Sequence, residues 1–107
     1  MDNIEKQEII CHYEDLLQKV TEPEDLSFIW EKKSLDQGNL IVASADKDGI
    51  LTVLAGLLTS YGAEIVSGDI ISVVDDHNPS QRKILDILYL KWPEGEIAER
   101  LLGNFKN

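Results

Sequence analysis

The chain has 107 residues, 43% of them hydrophobic and 28% charged, a balance typical of one globular domain. Its net charge of −10 argues against nucleic acid or an anionic membrane surface as a partner, because both need clustered Lys and Arg. The single cysteine, Cys11, excludes an internal disulfide, and no signal-peptide pattern is present, so we expect a cytoplasmic protein. No stretch approaches the roughly 20 apolar residues of a membrane-spanning helix.

The first twenty residues are predicted to be helical. Apolar side chains recur there at roughly helical spacing, and Asp2 or Asn3 can cap the first turn. The turn-forming sequence at 21–25 ends the pattern. We interpret residues 1–25 as a helical linker whose partner surface lies outside this chain, and residues 26–107 as the domain.

Two strands joined by a hairpin are predicted next. Residues 28–34 alternate as a strand with Phe28 and Trp30 on one face. In the turn at 35–39, Gly38 tolerates a positive φ. Residues 40–45 are apolar on both faces, which is typical of a central strand.

A polar corner, Asp46-Lys47-Asp48-Gly49, follows this strand and opens a helix. Asp46 or Asp48 can cap the free N–H groups of its first turn. From Ile50 onward the apolar residues lie on one stripe, and Gly62 occupies the position of a left-handed C-cap.

The rest of the chain predicts two strands and a helix. The strands are expected at 65–74 and 84–92, with a polar loop at 75–80 between them, and the helix at 96–105. Asp86 lies among apolar neighbours in the second of these strands, so we expect Lys or Arg on an adjacent strand to pair with it.

From residue 40 onward the order is strand, helix, strand, strand, helix. This predicts an α+β, ferredoxin-like βαββαβ fold whose last strand is missing, with two helices on one face of an antiparallel sheet. The hairpin strand 28–34 is expected to take the place of the missing strand; otherwise the open edge pairs with another chain. Apolar residues of the strand at 65–74, either Ile65, Ile71 and Val73 or the alternate set, would remain exposed on the other face, which favours a homodimer through the sheet or a helix face.

The run IVASADKDGILTVLAGLLTSYGAEIVSGDI at 41–70 resembles the ACT domain, a small-molecule-sensing βαββαβ module. Asp46, Gly49, Ile50 and Leu51 match its Asp-x-x-Gly corner, and Gly62 with Ile65 match the entry to its second strand. The segment ILDILYL at 84–90 resembles its third strand. Without the last strand, the domain is expected to be truncated at its C-terminus.

The closest subtype is the ACT region of bacterial PII-uridylyltransferase, the bifunctional uridylyltransferase and uridylyl-removing enzyme of nitrogen control. EIICHYEDLL at 8–17 and FIWEKKSLDQGNLIVASADKDGIL at 28–51 are similar to its entry into the ACT region. Large NAD-dependent glutamate dehydrogenases carry similar segments. The resemblance implies a regulatory domain that binds an amino acid, with glutamine as the first candidate, and controls the catalytic domains of a parent enzyme.

The ligand site is expected at the corner, where a helix N-terminus and a close backbone approach suit a carboxylate. Asp46 is placed to pair with an ammonium group, and Asp48 to do the same or to cap the helix. Many amino-acid-binding ACT domains have Asn at the position of Glu64, and they have Arg-Pro at the position of Lys47-Asp48. The predicted ligand-binding residues are Asp46, Lys47, Asp48, Gly49, Ile50, Leu51 and Glu64.

Two other functions stay open. Because the carboxylate of Glu64 only accepts hydrogen bonds, the chain could be an ACT-like module that mediates dimerisation or domain contact without a ligand. A small enzyme of ferredoxin-like fold is the third reading, but the sequence has no nucleophile motif, phosphate loop or paired metal-binding His. We therefore predict no catalytic residue, no cofactor and no metal, and interpret Asp75-Asp76-His77 as a solvated turn.

Overall fold

The computed structural model describes residues 2–45, 49–75 and 78–92. The predicted helix at 96–105 and corner residues 46–48 lie outside these ranges. The described residues form an α+β structure with three helices and a four-stranded antiparallel sheet. The elements are α1 (Asn3–His12), α2 (Glu14–Gln18), β1 (Leu26–Lys32), β2 (Gln37–Ala45), α3 (Ile50–Ser60), β3 (Glu64–Asp75) and β4 (Asn78–Lys91).

The N-terminal segment is helical, as predicted, but it breaks into two helices at Tyr13. Asp2 caps α1 by accepting a hydrogen bond from the N–H of Glu5 at 2.8 Å. Tyr13 leaves the helical region, with φ −109° and ψ 22°, and serves as the C-cap of α1 and the N-cap of α2. The break separates α1, which buries no residue, from α2, which buries Leu16 and Leu17.

The strand order is β1-β2-β4-β3, so β1 occupies the edge beside β2. The hairpin pairs β1 antiparallel to β2, from Leu26 opposite Ser44 to Lys32 opposite Gly38. The hairpin strand, predicted to replace the missing last strand, therefore pairs with the edge of β2 that does not pair with β4. The order is compatible with a ferredoxin-like sheet.

The strand ends differ from the predicted ones. β1 begins two residues earlier, at Leu26, and β4 begins at Asn78 inside the predicted polar loop. The turn expectation for Gly38 is wrong: it lies within β2, and the glycines with positive φ are Gly49 and Gly62 among the described residues. Gly38 is instead a close-approach site, where an added Cβ would lie 2.5 Å from the Trp30 ring.

One face of the sheet packs against α3. Helix residues Leu54 and Leu58 meet alternate residues of β2 and β4, because side chains two apart on a strand share a face. Trp92 closes this layer just beyond β4, at 1% exposure, and its indole Nε1 donates to the carbonyl of Tyr61 at 3.1 Å. We call this set the α3-side core: Leu40, Val42, Leu54, Leu58, Ala63, Leu88, Leu90 and Trp92.

The opposite face of the sheet packs against the N-terminal helices, so Ile71 and Val73 are covered, whereas the alternate set on β3, Val66, Ile70 and Val74, is exposed. Ile71 is buried at 3% exposure, and Val73 is half-buried. Helix α2 packs on this face against β1 and β2, because its apolar residues need a surface to bury and the sheet supplies it. We call this set the α2-side core: Leu16, Leu17, Val20, Ile41, Ala43, Ile71, Leu85 and Ile87.

Candidate functional site

Glycine at position 49 is required by the backbone at the predicted corner. Gly49 is the N-cap of α3 and has φ 85°, in the left-handed region that L side chains rarely adopt. A Cβ there would meet no described atom within 4 Å, so the constraint is conformational rather than steric. The capping roles predicted for Asp46 and Asp48 lie outside the described residues.

An apolar cleft of about 270 Å³ lies between α3 and β3. Leu51, one of the predicted ligand-binding residues, forms part of its wall in the first turn of α3. Leu51 and the predicted residue Ile50 both pack against the α3-side core. The other residues that line the cleft are Ala55, Ile65, Gly68, Asp69, Ile70 and Leu88.

Glu64 lies at the end of the sheet opposite to the corner. Ala45, the last residue of β2, is paired with Lys83, whereas Glu64 is paired with Lys91. An extended strand from Lys83 to Lys91 spans about 26 Å. Within one chain the structure therefore does not bring Glu64 to the corner, and a shared site would need a second copy.

A second cavity, of about 320 Å³, was not predicted from the sequence. It lies where the turn after α2 approaches the ends of β2 and β4, and Val20, Thr21, Glu22, Pro23, Ala45, Gln81, Arg82 and Lys83 line it. The cationic neighbours Arg82 and Lys83 are the one sequence signal for it, since the chain is otherwise strongly acidic. We call it the α2–β4 cavity.

Asp25 holds one wall of the α2–β4 cavity in place. Its Oδ2 accepts hydrogen bonds from the N–H of Glu22 at 2.9 Å, and from the N–H and hydroxyl of Thr21 at 2.9 and 3.0 Å. The bonds from the Glu22 and Thr21 backbones lower the pKa of Asp25, because they stabilise its charged form. The turn is therefore fixed by a carboxylate that stays ionised.

Asp86 is a buried carboxyl group on the α3 side of the sheet, at 2% exposure. Its neighbours across the ladder are Val42 and Ile70, so the predicted basic partner on an adjacent strand is wrong. Among the described residues its Oδ1 has no hydrogen-bond partner. Burial raises the pKa of Asp86, because desolvation disfavours the charged form.

The substitution Asp86→Asn is expected to stabilise the fold at pH 7 by about 1–2 kcal/mol, because the neutral amide removes a buried charge whose desolvation is unfavourable. Since the folded-state pKa is raised, the folded protein retains its proton to higher pH than the unfolded chain, and wild-type stability falls as pH rises through that window. The difference between variant and wild type should therefore shrink on acidification toward about pH 4. Urea unfolding from pH 4 to 7 measures it.

The exposed Asp15→Asn is the matched control for this prediction, and its effect should stay within about 0.5 kcal/mol at every pH. Destabilisation by Asp86→Asn at neutral pH would show that the carboxylate has a stabilising partner.

Two tyrosine–carboxylate hydrogen bonds lie on the α2 side of the sheet. The Tyr13 hydroxyl donates to Glu31 at 2.9 Å, and the Tyr89 hydroxyl donates to Asp69 at 3.1 Å. Burial, with the adjacent Glu31 carboxylate, raises the pKa of Tyr13 to about 12. Both phenols therefore remain protonated donors at neutral pH. The Tyr13 hydrogen bond joins the α1–α2 junction to β1, and the Tyr89 hydrogen bond joins β4 to β3.

The described residues offer no group of three or more His, Cys, Asp or Glu placed to hold a metal ion. The Asp75-Asp76-His77 turn lies largely outside them. Cys11 is an exposed free thiol on α1, next to the exposed His12. None of the helices in the described ranges has the length and apolar character needed to cross a membrane.

A scan against protein-family models finds no match, and searches of curated proteins and of solved structures find none of significance.

Proposed function

We propose that the chain is a cytoplasmic regulatory ACT domain with a ferredoxin-like fold, which binds an amino acid, glutamine first, and controls the catalytic domains of a nitrogen-regulatory uridylyltransferase. The observation that carries this proposal is the βαββ unit itself. β2 ends at Ala45, and α3 begins at Ile50, directly after an N-cap glycine, Gly49, that has a positive φ. The order β1-β2-β4-β3 supports the fold, because β1 lies where the last strand of the ACT plan would lie.

The site proposed for the ligand is the corner at 46–51. The N-terminus of α3 presents free N–H groups and a partial positive charge, which suit a carboxylate. Leu51 adds apolar surface, since it faces the cleft between α3 and β3. Glu64 can contribute only from a second copy, given its place at the far end of the sheet.

Thermal unfolding of the chain against the twenty amino acids tests this proposal. A ligand that binds only the folded state stabilises it by about 2.7 kcal/mol at a hundredfold excess over Kd. We expect a selective rise in midpoint with glutamine, which is lost in Asp46→Ala and kept in the exposed control Asp15→Ala. If none of the twenty amino acids raises the unfolding midpoint, the result contradicts the sensor function.

A second function, a contact module without a ligand, is favoured by the apolar surface of β3. Val66, Ile70 and Val74 are 64%, 58% and 54% exposed on this edge strand. Exposed apolar residues in a row are typical of an interaction surface. A dimer in sedimentation experiments, combined with no thermal shift from any amino acid, would support this function over the first.

A further inference from the structure

Strand β3 lies at one edge of the sheet, with one side of its backbone open. The strand order is β1-β2-β4-β3, and among the described strands β3 pairs with β4 alone. That pairing has no register shift over residues 67–74, a stretch of about 24 Å. We call residues 67–74 the open edge of β3. Its free N–H and C=O groups are a template for one more strand.

Gly68 leaves a gap in this edge, and the cleft between α3 and β3 lies behind the gap. Gly68 is exposed and lines the cleft opposite Leu88, which is buried on β4. Leu51 and Ala55 of α3 line the cleft as well. Its volume of about 270 Å³ is below the range of sites for whole small molecules, about 300–1,000 Å³. The cleft therefore suits a single apolar side chain, which can enter over Gly68 from a chain lying along the edge.

The charged side chains of β3 are all acidic. Its carboxylates are Glu64, Asp69 and Asp75, and the strand contains no Lys, Arg or His. Asp69 pairs with Ile87 of the α2-side core, so its side chain lies on the α2 side, where Oδ2 accepts from the Tyr89 hydroxyl at 3.1 Å. A carboxylate has room for further donors. Because neighbours on a strand point to opposite faces, a cationic residue next to the apolar one would reach Asp69.

A second copy of this chain fits the open edge poorly, because like charges would meet. Asp69 lies near the middle of the open edge. If two β3 strands paired antiparallel about Ile70, the two Asp69 residues would be diagonal neighbours about 7–8 Å apart. Each chain also has a net charge of −10, which opposes self-association. A partner with positive charge and apolar side chains matches this edge better.

We propose that β3 binds an extended segment of another polypeptide by strand addition, with an apolar side chain in the cleft and an adjacent Lys or Arg beside Asp69. Main-chain hydrogen bonds to the open edge supply affinity, and alternate side chains supply specificity. Ile70 and Val74, exposed on the same face as Gly68, add apolar surface along the strand. This inference goes beyond amino-acid sensing and does not depend on it, although Leu51 borders both sites.

The test is binding of a fluorescein-labelled peptide, Thr-Lys-Val-Lys-Leu-Lys-Val-Thr, to the full chain, followed by fluorescence anisotropy without any added amino acid. As a strand this peptide has one basic and one apolar face. We expect saturable binding, which weakens at least about tenfold when the central Leu is replaced by Ala. Scrambling the sequence so that the alternation is lost, or replacing each Lys by Glu, should weaken it by at least as much.

Backbone methylation of the peptide separates strand addition from general charge attraction. Alternate N–H groups of a strand face the same neighbouring strand. Methylation of one alternate set of amides should therefore abolish binding, whereas methylation of the other set should change the Kd by less than about twofold. Equal effects of the two sets would overturn the proposal.

Two variants of the chain test the side-chain contacts. Ala55→Leu fills the cleft from α3 and should reverse the preference, so that the peptide with central Ala binds more tightly than the one with Leu. Val53→Leu is its control, because Val53 is exposed on α3 and does not line the cleft. Asp69→Asn should raise the Kd about fivefold, and Asp15→Asn on α2 should leave it unchanged.

The amino-acid sensor and the peptide edge fail separately, because one is read by a thermal shift and the other by anisotropy without an amino acid. Absence of saturable peptide binding, or a wild-type Kd in both Ala55→Leu and Asp69→Asn, would overturn the proposal. A chain that binds no peptide but forms a dimer that Ile70→Lys dissociates would assign the open edge to a second copy instead.

Discussion

Replacing Leu16 with alanine is expected to lower the free energy of unfolding by about 3 kcal/mol. Leu16 is 2% exposed and packs in the α2-side core with strand residues such as Ile41 and Leu85. Truncation removes buried apolar surface and leaves a cavity that rigid strands cannot close. Urea denaturation, fitted to a two-state transition, measures the loss.

The control for Leu16→Ala is Ile4→Ala in α1. Ile4 is 72% exposed and α1 buries no residue, so its truncation should change stability by less than about 0.5 kcal/mol. The contrast separates a leucine buried in the core from an exposed apolar residue at the start of α1. Equal, small effects at both positions would show that α2 does not pack on the sheet in solution.

Replacing Gly38 with alanine is expected to destabilise the fold by about 3 kcal/mol through overpacking. An added Cβ would lie 2.5 Å from Cη2 of Trp30 and 2.8 Å from the carbonyl oxygen of Glu31. The carbonyl belongs to the β1–β2 ladder, and Trp30 packs edge-to-face with Trp92 at 6.3 Å, so neither can move without a further loss. Thermal and urea unfolding both report this loss.

Gly56→Ala provides the control of opposite sign. Gly56 lies within α3, where an added Cβ would meet no described atom within 4 Å. Alanine is the better helix former by about 1 kcal/mol, so this substitution should stabilise the fold. If Gly38→Ala were neutral, the ring of Trp30 could not lie against Gly38 as the structure has it.

The local elements of this fold follow from the sequence because their signals depend on near neighbours. The apolar stripe from Ile50 predicted α3, and the continuous apolar runs of β2 and β4 predicted central strands. Gly62 was predicted as a left-handed C-cap, and its positive φ confirms this. The hairpin tether placed β1 beside β2, since a short connection leaves few other partners.

Only the tertiary structure decided which surfaces meet. The sequence pattern of α2 does not show that this helix packs on the sheet, because periodicity predicts an apolar stripe but not the surface that the stripe contacts. Register placed Glu64 away from the corner and put Val42 and Ile70 beside Asp86, and register depends on pairing between distant residues. The α2–β4 cavity arises where three separate segments converge, so its lining residues come together only in the folded chain.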